Sequence, residues 1–246
     1  MRLAFGAVVA VALGAPPAHS VTFSDDAFNP PDWTALVLWD TSTGGSGFSV
    51  DTQADGSQGD ARFTTLNYQF DGTASQGITV GHLNANALYD PAVTGAIESV
   101  QYSFSHRIVS QVGATPGVFH GLVIRQGGSH FVHFFPTPTV STAWSTGSTG
   151  LLTATDFSLI SLGGISPVRP DFGPAAAPLQ FGYVSSTASG RGFGSGTAAI
   201  GSAFDDWVVS VTPVPEPSEA ALSVVALLAG ALVRATAARE SKAEKE

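Results

Sequence analysis

The chain has 246 residues, no cysteine and a formal net charge of −9 at neutral pH. The lack of cysteine excludes disulfide bridges and thiolate zinc sites, and the acidic balance excludes a nucleic-acid partner, which needs a basic surface. Between residues 21 and 213 there is no lysine and a single glutamate, Glu98, against thirteen aspartates and five arginines; that span is poor in the residues that populate long surface helices.

The N-terminus combines a positive Arg2, an apolar stretch from Leu3 to Leu13 and the small-residue site Ala18-His19-Ser20. This order reads as a secretory signal peptide over residues 1–20, handled by the Sec machinery and cut by signal peptidase between Ser20 and Val21. A retained anchor would need about 18 or more apolar residues, and Pro16-Pro17 breaks the run before that.

Residues 21–212 suit one domain. Period-two alternation, the mark of a half-buried strand, recurs along them. It predicts strands at Trp33–Asp40, Phe48–Thr52, Arg62–Phe70, Ile78–Leu83, Ile97–Ser110, Val118–Gln126, His130–Phe135, Phe157–Leu162, Leu179–Ser185 and Phe204–Val211. Gly127-Gly128 predicts a tight hairpin, because glycine supplies the positive φ that such turns require. A short helical turn is expected near Ala154–Phe157. No helical pattern is long enough for a βαβ crossover, so the expected fold is all-β: an antiparallel β-sandwich of jelly-roll type, with a closed barrel as the alternative.

Residue chemistry points to binding more than to catalysis. Glycoside cleavage needs two facing carboxylates, yet most aspartates here fall in turn-like sequence, as on the Gly-rich loop with Asp51, Asp55 and Asp60. No Gly-x-Ser-x-Gly elbow stands between a strand and a helix, so no catalytic residue is assigned. His130 and His133, three apart on a strand, point to opposite faces. The pairs Asp25-Asp26 and Asp205-Asp206 sit on the first and last strand-like segments, which are often neighbours in a jelly roll. Each pair suits a turn; together they would offer oxygen ligands to a structural Ca²⁺. Sugar rings stack on exposed aromatic faces. Trp144, in a Ser/Thr-rich stretch, and Tyr68 are the candidate ligand-binding residues, although Tyr68, Tyr89 and Tyr183 suit a core equally well. Trp33, Trp39 and Trp207 lie in strand-like runs and are expected in the core.

The sequence ends in Val214-Pro215-Glu216-Pro217-Ser218, an apolar run over 220–233, Arg234 and a charged tail at 239–246. The run is short of the roughly 20 residues that span a bilayer. Arg234 marks its membrane edge, and the following basic residues place the tail on the cytoplasmic side. Together with the N-terminal signal, residues 213–238 resemble the sorting signal of the PEP-CTERM proteins of Gram-negative bacteria. That resemblance implies processing by an exosortase, transient membrane anchoring through a hydrophobic helix, and a cell-surface or extracellular destination in an exopolysaccharide or biofilm setting.

Within the domain, Tyr89-Asp90-Pro91-Ala92, Gly95-Ala96-Ile97, Thr153-Ala154-Thr155-Asp156-Phe157, Phe181-Gly182-Tyr183 and Asp205-Asp206-Trp207 resemble a recurrent domain of exported bacterial proteins. Its general plan is that of concanavalin-like and carbohydrate-binding jelly rolls. No activity is carried over from this second resemblance; the expected role is a structural or adhesive matrix protein with glycan binding, and the alternative is a glycan-active hydrolase or lyase on the same scaffold. Replacing Pro215-Glu216-Pro217 by alanines is expected to block C-terminal processing while export continues; an unchanged mature mass in the variant would overturn the sorting assignment.

Overall fold

The structure, a computed structural model, describes residues 19–54, 60–113, 117–190 and 194–215. Residues His19–Pro213 form one compact unit. Signal-peptide residues 1–18, and the sorting signal from Glu216 through Pro217, Ser218 and Arg234, lie outside the described residues. Val214 and Pro215 follow the last strand without regular structure. Among the described residues no helix is long and apolar enough to cross a membrane.

The strands are β1 (Val21–Asp25), β2 (Trp33–Asp40), β3 (Ser46–Gln53), β4 (Ala61–Phe70), β5 (Gln76–Tyr89), β6 (Ile97–Val112), β7 (Phe119–Gln126), β8 (Ser129–Phe134), β9 (Ser145–Ser148), β10 (Ser158–Ser161), β11 (Gly164–Ser166), β12 (Leu179–Ser189) and β13 (Gly196–Pro213). A one-turn helix, α1 (Pro91–Thr94), is started by the Asp90 carboxylate, which accepts from the Ala92 amide. The turn expected near Ala154 is a 3₁₀ turn over Ala154–Asp156, closed by reciprocal Thr153 and Asp156 hydrogen bonds. Gly127 and Gly128, at φ +55° and +87°, join β7 to β8 as expected.

All pairings are antiparallel. One sheet has the order β3-β4-β13-β6-β9, with β1 also paired to β13; the other has the order β11-β10-β8-β7-β12-β5-β2. Successive strands cross between the sheets repeatedly, which makes the molecule the expected antiparallel sandwich. β2 has the bounds its alternation predicts, whereas β5, β12 and β13 run well beyond theirs. β9 and β11 are short strands of Ser, Thr, Gly and a single Ile, and carry no apolar alternation to announce them.

Facing side chains of the two sheets make the main core, including Trp33, Tyr102, Phe104, Leu122, Tyr183, Phe204 and Trp207, with Leu66, Tyr68, Ile78, Val80 and Ile200 continuing it at one end. A column of stacked rings crosses from sheet to sheet. Phe104 lies 5.0 Å from Phe204, Phe204 lies 3.8 Å from Tyr183, and Tyr183 lies 4.3 Å from His82.

The seven-stranded sheet is apolar on its other face as well. Leu38, Leu83, Val123, Val132, Ile160 and Val184 form a third buried cluster there, joined by Leu36, Trp39 and Phe134. An open sheet would leave this face wet. Here β10 and β2, near opposite edges, come within 8 Å of each other, so the sheet curls over its own outer face. Side chains converge on the inside of such a curl, and glycine relieves the crowding. A Cβ at Gly121 would overlap the His133 carbonyl oxygen, and one at Gly182 the His82 carbonyl oxygen. Gly182→Ala is therefore expected to destabilise the domain by about 3 kcal/mol or to prevent folding. Gly150→Ala, whose Cβ meets nothing within 4 Å, is the neutral control, and chemical denaturation of both variants is the measurement.

Candidate ligand-binding site

The curl leaves a cup at one end of the outer face. On its floor, residues of alternate parity on β5 and β12 present Thr79, Ser186 and Ala188. Trp39 on the β2 edge forms one wall. Phe119, Phe134, Phe135, Ile160 and Ile165 form the other, enclosing about 610 Å³. Thr79 and Ser186 place their hydroxyl oxygens 2.7 Å apart, so these two floor hydroxyls already share a hydrogen bond. None of the described residues lining the cup carries an ionisable side chain. Such a surface can hold the apolar face of a ring by contact and dispersion. Its polar side chains on the floor are the two hydroxyls of Thr79 and Ser186.

The expected ligand-binding residues are elsewhere. Tyr68 is fully buried, its hydroxyl 2.7 Å from Ser189 Oγ. The correction follows from parity: Tyr68 shares a face of β4 with Leu66 and Phe70, and that face packs inward. Trp144 is half-buried, with the Arg107 guanidinium 5.1 Å above its ring. Trp33 and Trp207 are in the core as expected, whereas Trp39 is only half-buried and faces the cup. The run Phe131 to Phe135 held a signal for this site. It is apolar at both parities over most of its length, which marks a strand covered on both faces.

Of the four carboxylates expected to hold calcium, Asp25 and Asp205 accept hydrogen bonds from within the protein. β1 does pair with β13, with Asp25 opposite Trp207. Asp25 accepts from the Ala27 amide (3.0 Å), the Phe28 amide (2.8 Å), Trp33 Nε1 (2.7 Å) and Asn84 Nδ2 (3.3 Å). These bonds hold Phe28 at φ +46°, an unfavourable value for a bulky residue. Asp26 is exposed. Asp205 is buried and accepts from the Asp206 amide (2.7 Å), and Asp206, at φ +51°, forms the irregular step of β13 between Asp205 and Val208. Among the described residues no group of three or more histidines, aspartates or glutamates is placed to hold a metal ion.

The histidines are more deeply placed than their sequence suggests. His82 is fully buried; Arg62 Nε donates to its Nδ1 (3.3 Å), and Thr64 Oγ1 is 3.4 Å from its Nε2. Burial first, then the Arg62 and His120 charges, hold His82 well below the usual histidine range. Burial pushes His106 down to about 4. Burial, together with His106, pushes His120 down to about 3, offset in part by a hydrogen bond with the Val184 backbone. His130 and His133 lie on opposite faces of β8, and His133 Nδ1 is 3.0 Å from the Asp156 carbonyl oxygen.

No protein-family model matches the chain, and no curated protein matches it. Among solved structures it is similar to the CBM22-1 xylan-binding domain from Paenibacillus barcinonensis, at 15% identity and a TM-score of 0.34 over 83% of this chain and 99% of that one. It is also similar to the Stig cyclase Fisc from Fischerella sp. TAU, at 12% identity and 0.35 over 78% and 90%. Peanut lectin is similar at 14% identity and 0.32 over 80% and 100%. Likeness at this level carries no ligand, reaction or partner over to this chain.

Three imidazoles held neutral have a consequence for acid stability. The unfolded chain takes up protons as the pH drops below about 6.5, and the fold does not until near 4 or lower. The stability these residues contribute is therefore complete above about pH 6.5 and is lost as the pH falls toward about 4 and then 3. The urea midpoint is expected to decline across that window, and His106→Gln to make the decline shallower. A midpoint flat between pH 7 and 4 would contradict the burial of these rings.

Proposed function

We propose that this is an exported, exosortase-sorted protein of the cell surface or extracellular matrix, structural or adhesive in role, that binds glycan through the aromatic cup and does no chemistry on it. The cup itself carries the reading: Trp39, Phe119, Phe134 and Phe135 supply apolar ring faces against which the C–H face of a pyranose can stack, beside the Thr79 and Ser186 hydroxyls. Export is supported by the two terminal signals, and by a first strand starting at Val21 and a last ending at Pro213, just inside them. The glycan-active enzyme is the weaker reading, because a hydrolase needs a pair of carboxylates about 5 to 9.5 Å apart in its cleft and none lines this one.

One observation favours a second reading. With only two hydroxyls, already bonded to each other, the cup gives a sugar's own hydroxyls few partners, and a flat apolar molecule would lose less on entering it. The discriminating experiment probes the purified protein on a glycan array and, in parallel, with an apolar fluorescent dye. Glycan capture that falls about tenfold in Trp39→Ala, equivalent to roughly 1.4 kcal/mol, is the expected result. A blank array with Trp39-dependent dye uptake would replace glycan by an apolar ligand. Capture unaffected by Trp39→Ala would remove the cup from the function.

A further inference from the structure

His106 on β6 and His120 on β7 belong to opposite sheets and meet between them. Their ring centres are 5.3 Å apart, with the planes inclined at 43°. Both line a second cavity of about 430 Å³, bounded by Phe104, Phe135 and the hydroxyl-bearing β9 residues Ser145, Thr146 and Ser148. His106 Nδ1 and His120 Nε2 are both buried, and neither has a hydrogen-bond partner. A buried polar atom left without a partner is costly to a fold; two on neighbouring rings call for a common explanation.

His120 Nδ1 lies 3.3 Å from Ser185 Oγ. A partner on that nitrogen orients the ring and leaves Nε2 as the free one, the arrangement by which a protein prepares an imidazole for a metal. Spacing agrees. A zinc or copper ion sits about 2 Å from each ligating nitrogen and so about 3 Å from each ring centre, and a near-tetrahedral angle then puts the two ring centres about 5 Å apart. The pair observed is 5.3 Å apart.

We propose that His106 Nδ1 and His120 Nε2 together bind one borderline divalent transition-metal ion, Zn²⁺ or Cu²⁺, whose remaining positions are taken by water or by the neighbouring hydroxyls. Hard cations such as Ca²⁺ are not the match, since nitrogen donors suit the borderline metals. The ion would join β6 of one sheet to β7 of the other, a non-covalent tie in a chain without cysteine. The proposal is independent of the cup and of its ligand.

The test titrates ZnSO₄ into the untagged, chelator-treated protein by calorimetry and records the electron paramagnetic resonance of the Cu²⁺ form. One equivalent is expected to bind, with superhyperfine structure from two imidazole nitrogens. His106→Gln and His120→Gln should each weaken binding at least tenfold, and His130→Gln should leave it unchanged. His106 is less deeply buried than His120, so H106Q stands as the deciding variant if H120Q fails to fold. Absence of binding, undiminished binding in H106Q, or a spectrum with a single nitrogen would each overturn the proposal.

Discussion

The curl of the seven-stranded sheet is the constraint on which the rest of the structure depends. A two-sheet sandwich needs one apolar face per sheet, and this chain provides a second on β2, β5, β7, β8, β10 and β12. Bringing β10 to within 8 Å of β2 buries that face without a third layer. The geometry then dictates residue size: glycine where strands crowd, at Gly121 and Gly182, and larger side chains toward the edges, at Trp39, Phe134 and Ile165. The cup is what remains where the curl stays open. Site and stability thus come from one deformation of one sheet.

Between the sheets the constraint is electrostatic. Arg62 is only 4% exposed, and it brings a permanent positive charge among aromatic rings. It is accommodated by the His82 nitrogen lone pair and by the face of Trp33, 5.7 Å from the guanidinium carbon. A protonated His82 would face that charge directly, so the imidazole stays neutral. Its neutrality permits the close stack on Tyr183, which in turn lies on Phe204 of the opposite sheet. The ring column that joins the sheets therefore rests on a hydrogen bond from a cation to a neutral base.

Much of this fold was legible because alternation reports burial directly. β2 was read with its observed bounds, and β6 was read as Ile97–Ser110, close to its observed Ile97–Val112. β9 and β11 were not legible, since Ser145–Ser148 and Gly164–Ser166 pair through backbone alone and bury little. The cup was harder to read for a different reason. Its residues come from seven separate strands and the segment after β8, and only the curl brings Trp39 opposite Ile165. Tyr68 was misassigned by weighing residue type over parity, which Leu66 and Phe70 already settled. Asp25 and Asp205-Asp206 were correctly placed on neighbouring strands. The Asp25 and Asp205 carboxylates accept from backbone amides, and Asp25 also from an indole and the Asn84 side chain, a use that spacing alone does not distinguish from ion binding.

β13 is the last strand in the chain and the middle one of its sheet, paired with β4, β6 and β1. None of those three pairs with another of the three in this sheet. Until residues 196–213 are available, the six-stranded half of the sandwich has no template on which to assemble, and its ladders close over separations as long as that between Val21 and Val211. Folding dominated by such distant pairings is slow. Synthesis therefore delivers nearly the whole domain before its central strand exists, so most of it must wait, unpaired on that side, for its last eighteen residues.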